Sequence, residues 1–279
     1  MNDAVFATLE KFKDQLDPER LKMPSLPDVA VRVQQLASNP NATPEQLAAL
    51  ISDDAALSAQ MIRIANSPLM RHLSEVRSVL QAVTRLGFGL VCNMTLVFAV
   101  KNALKVRTSF VSRELARTWV ESREIAAIAS ALAGLTRKLP PDQALLAGMV
   151  HRIGVLPLLA ALDEMTLEPE EYPAAIAAIE ELHPDLGSRL LRDWHFSEDL
   201  ACVPETHRNP CRPGEGAPDL ADVVAVAFVV HKIAEGQTEW IPPMESLESG
   251  ARLGLDCSVE ALELIANDER VEQSRELLS

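Results

Sequence analysis

The sequence predicts an all-α protein, and three observations support that prediction. No stretch of the 279 residues keeps the alternation of apolar and polar side chains that marks a half-buried strand. Hydrophobic residues make up 48% of the chain and are mostly Leu, Ala, Val and Ile, whereas aromatic residues make up only 4%. Apolar positions recur at helical spacing between breaks that contain proline or glycine. We therefore expect roughly a dozen helices.

The first part of the chain contains predicted helices that follow residues able to cap a first turn. The expected helices span residues 3–16, 29–37, 47–51, 55–65 and 90–106, with a further one that begins at Ser74 or Ser78. Thr43, Pro44 and Gln46 have the spacing of a capping box with proline at the first helical position. Asp28 and residues 52–54 are the expected caps of two neighbouring helices.

Glycines and prolines are expected to interrupt the remaining helices. Gly87 and Gly89 should break or kink the helix that contains residues 79–86. Ser112 is the expected cap of a long helix over residues 113–138. Further helices are expected at residues 142–159, 168–181, 185–194, 197–207, 219–235, 259–267 and 269–278, with irregular chain at 208–218 and 237–253. Pro157 should kink the helix at 142–159, and Pro184 should separate the helix at 168–181 from the helix at 185–194.

The length allows one large domain or two smaller ones. We expect an N-terminal helical subdomain at residues 1–110, a second helical subdomain at 111–240 and a C-terminal helical extension at 241–279. The longest uninterrupted apolar run, residues 223–230, is far shorter than the ~20 residues of a membrane span. No targeting segment or metal-site cysteine spacing is evident, so Cys92, Cys202, Cys211 and Cys257 are interpreted as reduced thiols of a cytoplasmic protein.

The net charge of −14 argues against a general nucleic-acid binder, because such a protein needs excess Lys and Arg. The charge is unevenly distributed. Bases outnumber acids between residues 101 and 138, and acids outnumber bases between 163 and 205. Such a bipolar surface suits docking to another protein, although helices with solvated charges explain it equally well.

The candidate functional residues are centred on residues 144–159, an apolar segment that contains His151 and Arg152. A buried imidazole and guanidinium each require a partner, because an unpaired buried charge is unfavourable. Five of the six histidines lie in the C-terminal half, among them His183, His195 and His207. One core histidine is usually structural, but several on converging helices could surround a metal or a phosphate.

Residues 23–33, 43–68, 74–94 and 145–156 follow one another in a distinctive order, and Trp119, Glu180, His183, Trp194 and His207 continue it. This pattern resembles the HDOD domain family over roughly residues 20 to 236. HDOD domains are output domains related to HD-type metal phosphohydrolases. The resemblance implies a multi-helix HD-like bundle preceded by a smaller N-terminal helical bundle.

The departures from the HD pattern bear on activity. By position, the HD metal ligands correspond to Glu121, His151, Arg152, His183, His207 and, least clearly, His231. Arginine thus replaces the carboxylate that bridges the metals. At ~4 Å a guanidinium repels each positive charge of a metal by several kcal/mol at intermediate dielectric, and it cannot lose its proton. We therefore expect no di-metal centre, no phosphodiester hydrolysis and no cofactor.

Two interpretations of Arg152 remain open. It could form an internal salt bridge with Glu121, which would satisfy both groups without a metal. Alternatively, Arg152 with His151, His183 and His207 could bind a phosphate or a nucleotide. An open cleft beside Arg152 would distinguish the second interpretation from the first.

The resemblance implies a non-catalytic bacterial signal-transduction module that acts through protein–protein interaction. The expected partner is a signalling protein, such as a cyclic-nucleotide-turnover enzyme or a chemotaxis or motility component. No nucleic acid or membrane partner is expected. The alternatives are a divergent HD-type phosphodiesterase, with one metal held by His151, His183 and His207, and a nucleotide sensor without turnover.

Overall fold

The structure is a computed structural model and describes residues 10–14, 16, 27–66, 75–214, 216–237, 242–243 and 246–278. Throughout these residues the regular structure is helical, with no strand, which confirms the all-α prediction. The helices are α1 (Asp28–Ala37), α2 (Pro44–Ser52), α3 (Ala55–Ala65), α4 (Val79–Leu86), α5 (Phe88–Ala103), α6 (Ser109–Thr136), α7 (Pro141–Val150), α8 (Val155–Asp163), α9 (Tyr172–Asp193), α10 (Glu198–Ala201), α11 (Val203–Thr206), α12 (Leu220–Ala234), α13 (Glu248–Leu253), α14 (Val259–Ala266) and α15 (Glu269–Leu278). A 3₁₀ turn, Pro169–Glu171, precedes α9.

Several helix starts follow local capping chemistry, namely those of α2, α3, α4, α6, α12 and α14. The Thr43–Gln46 capping box forms at the start of α2, and the Asp54 carboxylate accepts N–H bonds from the first turn of α3. Two predicted caps are wrong. Asp28 is the first residue of α1, which follows Pro27, and Thr108 rather than Ser112 caps α6. Of the predicted helix 3–16, residues 10–14 are helical and most of the rest lies outside the described residues, as does Ser74.

The α4–α5 corner is set by Gly87. This residue has φ +87°, a left-handed conformation that favours glycine, and the two helices meet at a bend of 117°. Ser78 caps α4, as predicted. Gly89 continues α5 and does not break it.

The apolar segment expected as one helix over 142–159 is divided by a turn at residues 151–154 into α7 and α8. Pro157 lies within α8 and does not cause the division. The turn places Gly154 against α9, where an added Cβ would lie 2.1 Å from the carbonyl oxygen of His183. The break therefore arises from a close approach between two helices that are distant in sequence.

The segment expected as two helices around Pro184 is the single helix α9. Proline has no N–H, so it leaves the carbonyl four residues earlier without its helical donor. That carbonyl belongs to Glu180, and the Arg208 guanidinium donates to it through Nη1 at 3.0 Å. A cation from the chain after α11 thus allows proline inside α9.

Helices α6, α7 and α12 form the centre of the main hydrophobic core. The α6–α7 contact is close, because an added Cβ on Gly148 would lie 2.3 Å from the Cα of Ala126. By length and composition residues 141–163 could span a membrane, but 89% of that window is buried inside the protein. The segment therefore behaves as a core helix pair.

The C-terminal helices pack on the same chain. Helices α13 and α14 contact α12, whereas α15 lies along α6, where Arg275 Nε is 2.6 Å from a Glu124 oxygen. Helix α13 forms within residues expected to be irregular. Its Arg252 donates to the buried Asp222 carboxylate on α12, which also contacts Arg212 and the Ser249 hydroxyl. This network anchors the extension to the core.

Candidate functional site

The predicted site residues lie where the ends of several helices meet. His151 and Arg152 occupy the turn after α7, and His183 lies in the interior of α9. His207 directly follows α11, and Glu121 lies near the middle of α6. The break between α7 and α8 and the continuity of α9 together place these side chains at one locality.

Three imidazoles form a buried cluster, which we name the histidine cluster: His151, His183 and His207. All three are fully buried. The ring centroids of His151 and His207 are 4.9 Å apart, and those of His183 and His207 are 5.7 Å apart. Phe228 of α12 packs edge-on against His207 at 5.5 Å. The structure therefore brings together three of the predicted residues.

Hydrogen bonds fix the orientation of these rings. Nδ1 of His151 lies 2.6 Å from the Gly148 carbonyl oxygen, and Nδ1 of His207 lies 2.7 Å from the Pro204 carbonyl oxygen. A carbonyl can only accept, so each Nδ1 carries the proton. The Nε2 atoms of both rings are buried and have no hydrogen-bond partner among the described residues. Both rings thus present Nε2 lone pairs to the interior of the cluster.

The histidine cluster is electrically neutral at neutral pH. Burial lowers the pKa of His151 to about 4, although the nearby Glu121 carboxylate opposes this shift. Burial also lowers the pKa values of His183 and His207 well below their usual range, and the neighbouring positive groups add to the effect. The imidazoles are therefore acceptors and donors of hydrogen bonds rather than cations.

Arg152 forms a bidentate ion pair with Glu180 of α9. Its Nη2 and Nη1 lie 2.6 and 3.1 Å from the two carboxylate oxygens of Glu180. The predicted partner, Glu121, lies farther away, with Oε2 at 3.5 Å from Arg152 Nε. The Arg152 side chain is only 7% exposed, so its charge depends on these two acids.

Arg208 is the second cation of this network. Its Nη2 donates to the Glu180 carboxylate and lies 3.0 Å from Nε2 of His183. Because an arginine nitrogen can only donate, His183 accepts through Nε2 and carries its proton on Nδ1. Burial tends to raise the pKa of Glu180, but the hydrogen bonds and charges of Arg152 and Arg208 lower it to about 2. Glu180 therefore remains a carboxylate at neutral pH and neutralises part of the two guanidinium charges.

His231 and His195 occupy other surroundings. His231 Nε2 lies 3.5 Å from a Glu235 oxygen one turn along α12, and burial lowers its pKa. In the described part of the chain its ring contacts none of the other imidazoles. His195 is exposed and has φ +57° just after α9. The position of the sixth HD ligand is thus separate from the histidine cluster.

A pocket of about 220 Å³ opens beside the ion pairs. Four basic residues line it, together with two acidic residues and the apolar side chains of Phe228 and Ile176. The basic residues are Arg117, Arg152, Arg208 and Lys232, and the acidic ones are Glu121 and Glu180. The histidine cluster does not form part of this lining. Arg152 therefore both contacts Glu121 and borders an open space.

The donor set does not fit the dinuclear metal centre of HD-type hydrolases. Arg152 takes the position that the family resemblance assigns to the bridging carboxylate, and a second guanidinium uses the Nε2 lone pair of His183. Of the three Nε2 atoms in the histidine cluster, only those of His151 and His207 have no hydrogen-bond partner among the described residues. Among the residues that the structure describes, no three His, Cys, Asp or Glu side chains are placed to share a metal ion.

Two residues of this network, Glu180 as an ion-pair partner and Arg208, are absent from the predicted site. One sequence signal points to them. The dipeptide His-Arg occurs at residues 151–152 and again at 207–208. In both copies the imidazole bonds the carbonyl three residues earlier and the guanidinium reaches Glu180. The repeated dipeptide therefore marks a repeated local arrangement.

Comparison with solved structures finds other proteins with a similar helical architecture. A protein from Shewanella amazonensis SB2B, described as a candidate metal-dependent phosphohydrolase, is 25% identical and superposes with a TM-score of 0.81 over all of both chains. An HDOD domain protein of unknown function from Geobacter sulfurreducens is 20% identical, with a TM-score of 0.61 over 99% of this chain and 97% of that one. A protein from Marinobacter aquaeolei VT8, described as a candidate signal transduction protein, is 22% identical, with a TM-score of 0.59 over 97% of this chain and 65% of that one.

Sequence comparison extends this result. An uncharacterized protein of Treponema pallidum (strain Nichols) is 26% identical over 246 residues, which cover 83% of this chain and 46% of that protein. The chain thus spans about half the length of this relative. The profile of the HDOD domain family matches residues 23–210, well over half of the chain and including His151, Arg152, Glu180, His183 and His207. The chain therefore belongs to the HDOD domain family, a group with an HD-like, all-helical architecture.

Proposed function

We propose that this chain is a non-catalytic signal-transduction module that acts by binding another protein. One observation carries the proposal: two guanidinium groups, those of Arg152 and Arg208, occupy the surroundings in which HD-type hydrolases bind metal ions. In this chain the Glu180 carboxylate balances fixed cations instead of a metal.

Electrostatics supports the absence of hydrolysis. Two unit charges of the same sign at ~4 Å repel by about 4 kcal/mol at an effective dielectric constant of 20, and a divalent ion doubles this energy. The buried Arg152 cannot remove the repulsion by losing its proton, because the guanidinium pKa is too high. Burial tends to lower the pKa of Arg152, but the hydrogen bonds with Glu180 and the charge of Glu121 raise it above the usual value. A metal would have to displace Arg152 from both acids.

Protein binding is supported by the charge distribution and by the relatives. The basic stretch between residues 101 and 138 and the acidic stretch between 163 and 205 give an acidic protein two oppositely charged regions. The Marinobacter relative is described as a candidate signal transduction protein. We infer a signalling partner, such as a cyclic-nucleotide-turnover enzyme or a chemotaxis or motility component. A cytoplasmic location suits this role.

The competing function is a divergent metal phosphohydrolase, as the description of the Shewanella relative suggests for that protein. Purified protein should be incubated with Mn²⁺, Fe²⁺ or Zn²⁺, desalted, analysed for metal by mass spectrometry and assayed with bis(p-nitrophenyl) phosphate and cyclic nucleotides. We expect substoichiometric metal and no turnover above buffer. One or more metal ions per chain, with hydrolysis that a chelator abolishes, would contradict the proposal.

A matched variant tests whether the guanidinium charges exclude a metal ion. The triple substitution Glu121→His, Arg152→Asp and Arg208→Ala restores two HD ligand types and removes the second guanidinium. We expect this variant to retain more metal than the unmodified chain in the same assay. Equal metal retention in both proteins would show that the guanidinium groups do not exclude the metal.

Partner binding is tested with the basic region. Arg113 and Arg117 are exposed on α6 and form only long contacts, 3.6 and 3.8 Å, with Glu114. A pull-down should recover a signalling protein with the unmodified chain and lose it with Arg113→Glu/Arg117→Glu. Identical recovery by both baits would contradict a role for this surface.

A further inference from the structure

We propose that the pocket beside Arg152 binds a phosphomonoester dianion, either inorganic phosphate or the phosphate of a nucleoside 5′-monophosphate. The proposal deepens the proposed function and rests on it, because a ligand of a non-hydrolytic module is bound and released unchanged. The binding groups are the basic residues of the pocket and not the histidine cluster, which lies outside the lining.

The first argument is the charge of the lining. Four basic and two acidic side chains line the pocket, which leaves a net charge of +2 (4 − 2) in a chain whose formal charge is −14. The two acids are already engaged, because Arg152 contacts both and Arg208 contacts Glu180. The other two lining cations, Lys232 and Arg117, lie outside the Glu180 ion pairs, and Lys232 Nζ is 3.9 Å from a Glu121 oxygen. A concentrated positive charge in a concave site attracts a small anion.

The second argument is unused hydrogen-bonding capacity. A guanidinium carries about five N–H donors. Arg152 directs donors to Glu180, while Arg208 directs donors to the Glu180 carboxylate, the Glu180 carbonyl and His183. Each Nη nitrogen carries two N–H donors, so these bonds leave one donor on each Nη of Arg152 and one on Nη1 of Arg208. Phosphate oxygens are strong acceptors that match guanidinium geometry and can use the donors that the carboxylates leave over.

The third argument is size. The pocket volume of about 220 Å³ lies below the ~300–1,000 Å³ of typical ligand pockets. A phosphate with an attached sugar fits this space, whereas a cyclic dinucleotide would remain largely outside it. The Phe228 and Ile176 side chains supply an apolar wall that a sugar or the edge of a base can contact.

Two acids outside the lining compete with the ligand. Glu235 Oε2 lies 3.2 Å from Lys232 Nζ, and Glu114 Oε2 lies 3.8 Å from Arg117 Nη1. A bound dianion must share these two cations with the neighbouring carboxylates. Removing the Glu235 charge should therefore strengthen binding of the dianion.

The test is isothermal titration of the full chain with inorganic phosphate and with adenosine 5′-monophosphate, at constant ionic strength and pH 7.5. We expect saturable binding at or below millimolar concentration. Lys232→Gln should weaken binding about tenfold or more, because a charge-assisted hydrogen bond is lost, and Glu235→Gln should strengthen it about threefold. Both side chains lie outside the Glu180 ion pairs, and circular dichroism melting checks that the variants fold.

The two ligands separate the possible sources of the phosphate. Equal affinities would assign the pocket to inorganic phosphate, and clearly tighter binding of the nucleotide would assign it to a nucleoside monophosphate. Absence of saturable heat with both ligands, equal binding of sulfate, or unchanged affinity in Lys232→Gln would overturn the proposal. None of these results affects the proposed function, which would instead be contradicted by hydrolysis of the nucleotide during the titration.

Discussion

The substitution Glu180→Gln provides a direct test of the ion-pair network. The Glu180 carboxylate binds Arg152 through both oxygens, at 2.6 and 3.1 Å, and also binds Arg208. Glutamine keeps the shape of the side chain and one acceptor oxygen but removes the negative charge. Arg152, which is 7% exposed, then retains only Glu121 at 3.5 Å, and Arg208 keeps no carboxylate partner among its described contacts.

The expected loss of stability follows from burial. Removing one partner of a buried ion pair destabilises a protein by about 3–5 kcal/mol, because the remaining charge stays desolvated. The Glu180 side chain is 35% exposed, so water can partly replace it, and we expect the lower end of this range, about 3 kcal/mol. For a chain of this size that corresponds to a fall in Tm of roughly 6–12 °C.

Glu198→Gln is the matched control. Glu198 binds Arg192 with a nitrogen–oxygen distance of 2.6 Å, the same as the shortest Arg152–Glu180 contact. The two side chains are 68% and 42% exposed, however, and exposed pairs contribute less than about 1 kcal/mol. Both variants should be compared by urea denaturation and circular dichroism melting at pH 7.5.

The reasoning fails if the two variants lose equal stability, since the shortest contacts match in distance but Glu180 is more buried and balances two guanidinium groups. A double-mutant cycle with Arg152→Met gives a second check. Arg152→Met removes the buried cation, so loss of the Glu180 charge no longer leaves Arg152 without its main partner. The double variant should therefore lose about 1–3 kcal/mol less stability than the two single variants lose in sum. An additive cycle would show that Arg152 and Glu180 do not depend on each other.

Three further predictions concern pH, backbone packing and the C-terminal extension. The folded pKa of His151 is about 4 against 6.5 for the free group, so the unfolded chain binds the proton first and up to about 3 kcal/mol of stability is lost as pH falls from 6.5 to 4. His151→Gln should therefore reduce the pH dependence of the urea unfolding midpoint in this window, and an unchanged dependence would contradict this role. Gly154→Ala should lower Tm by more than ~10 °C, because its Cβ would meet a backbone oxygen of α9 at 2.1 Å, while Gly89→Ala, with nothing within 4 Å, should be neutral or stabilising in the same melt. Arg252→Met should lower stability by about 3 kcal/mol and accelerate proteolysis near α13, because the buried Asp222 carboxylate of α12 loses one of its two guanidinium partners and keeps Arg212; unchanged cleavage would contradict this role.

Helix starts that depend on nearby residues could be predicted from the sequence. The Thr43–Gln46 capping box and the Asp54 and Ser78 caps each involve residues within three positions. The wrong cap of α6 shows the limit of such local reasoning. Thr108 and Ser112 are equally suitable residue types, but the Asp163 carboxylate accepts the N–H and hydroxyl of Thr108 and fixes the start of the helix there.

The errors around the site have the same long-range origin. Pro184 predicts a helix break by local rules, but Arg208 supplies the missing donor to the Glu180 carbonyl. The apolar run after Val150 predicts continued helix, but the turn that contains Gly154 fits against α9. The residues of the histidine cluster could be predicted from the family pattern. The predicted Arg152–Glu121 ion pair forms at 3.5 Å. The shorter pair of Arg152 with Glu180 could not be predicted, because Glu121 and Glu180 are both acids and only the packing of α9 places Glu180 nearer.

In each His-Arg dipeptide the imidazole and the guanidinium respond to acid at different pH. Both guanidinium groups join their helix ends to Glu180, whose folded pKa of about 2 lies below its usual 4.5, so this attachment persists above pH 4.5 and weakens only as pH falls towards 2. Burial lowers the pKa of His151 to about 4, so its contribution to stability is lost at higher pH, between about 6.5 and 4, and burial shifts the pKa of His207 in the same direction. Acidification should therefore loosen the histidine cluster first, while Arg152 and Arg208 still hold α7 and α11 to α9. An HD-like bundle fastened in this way keeps its helix ends together through ion pairs to one shared carboxylate.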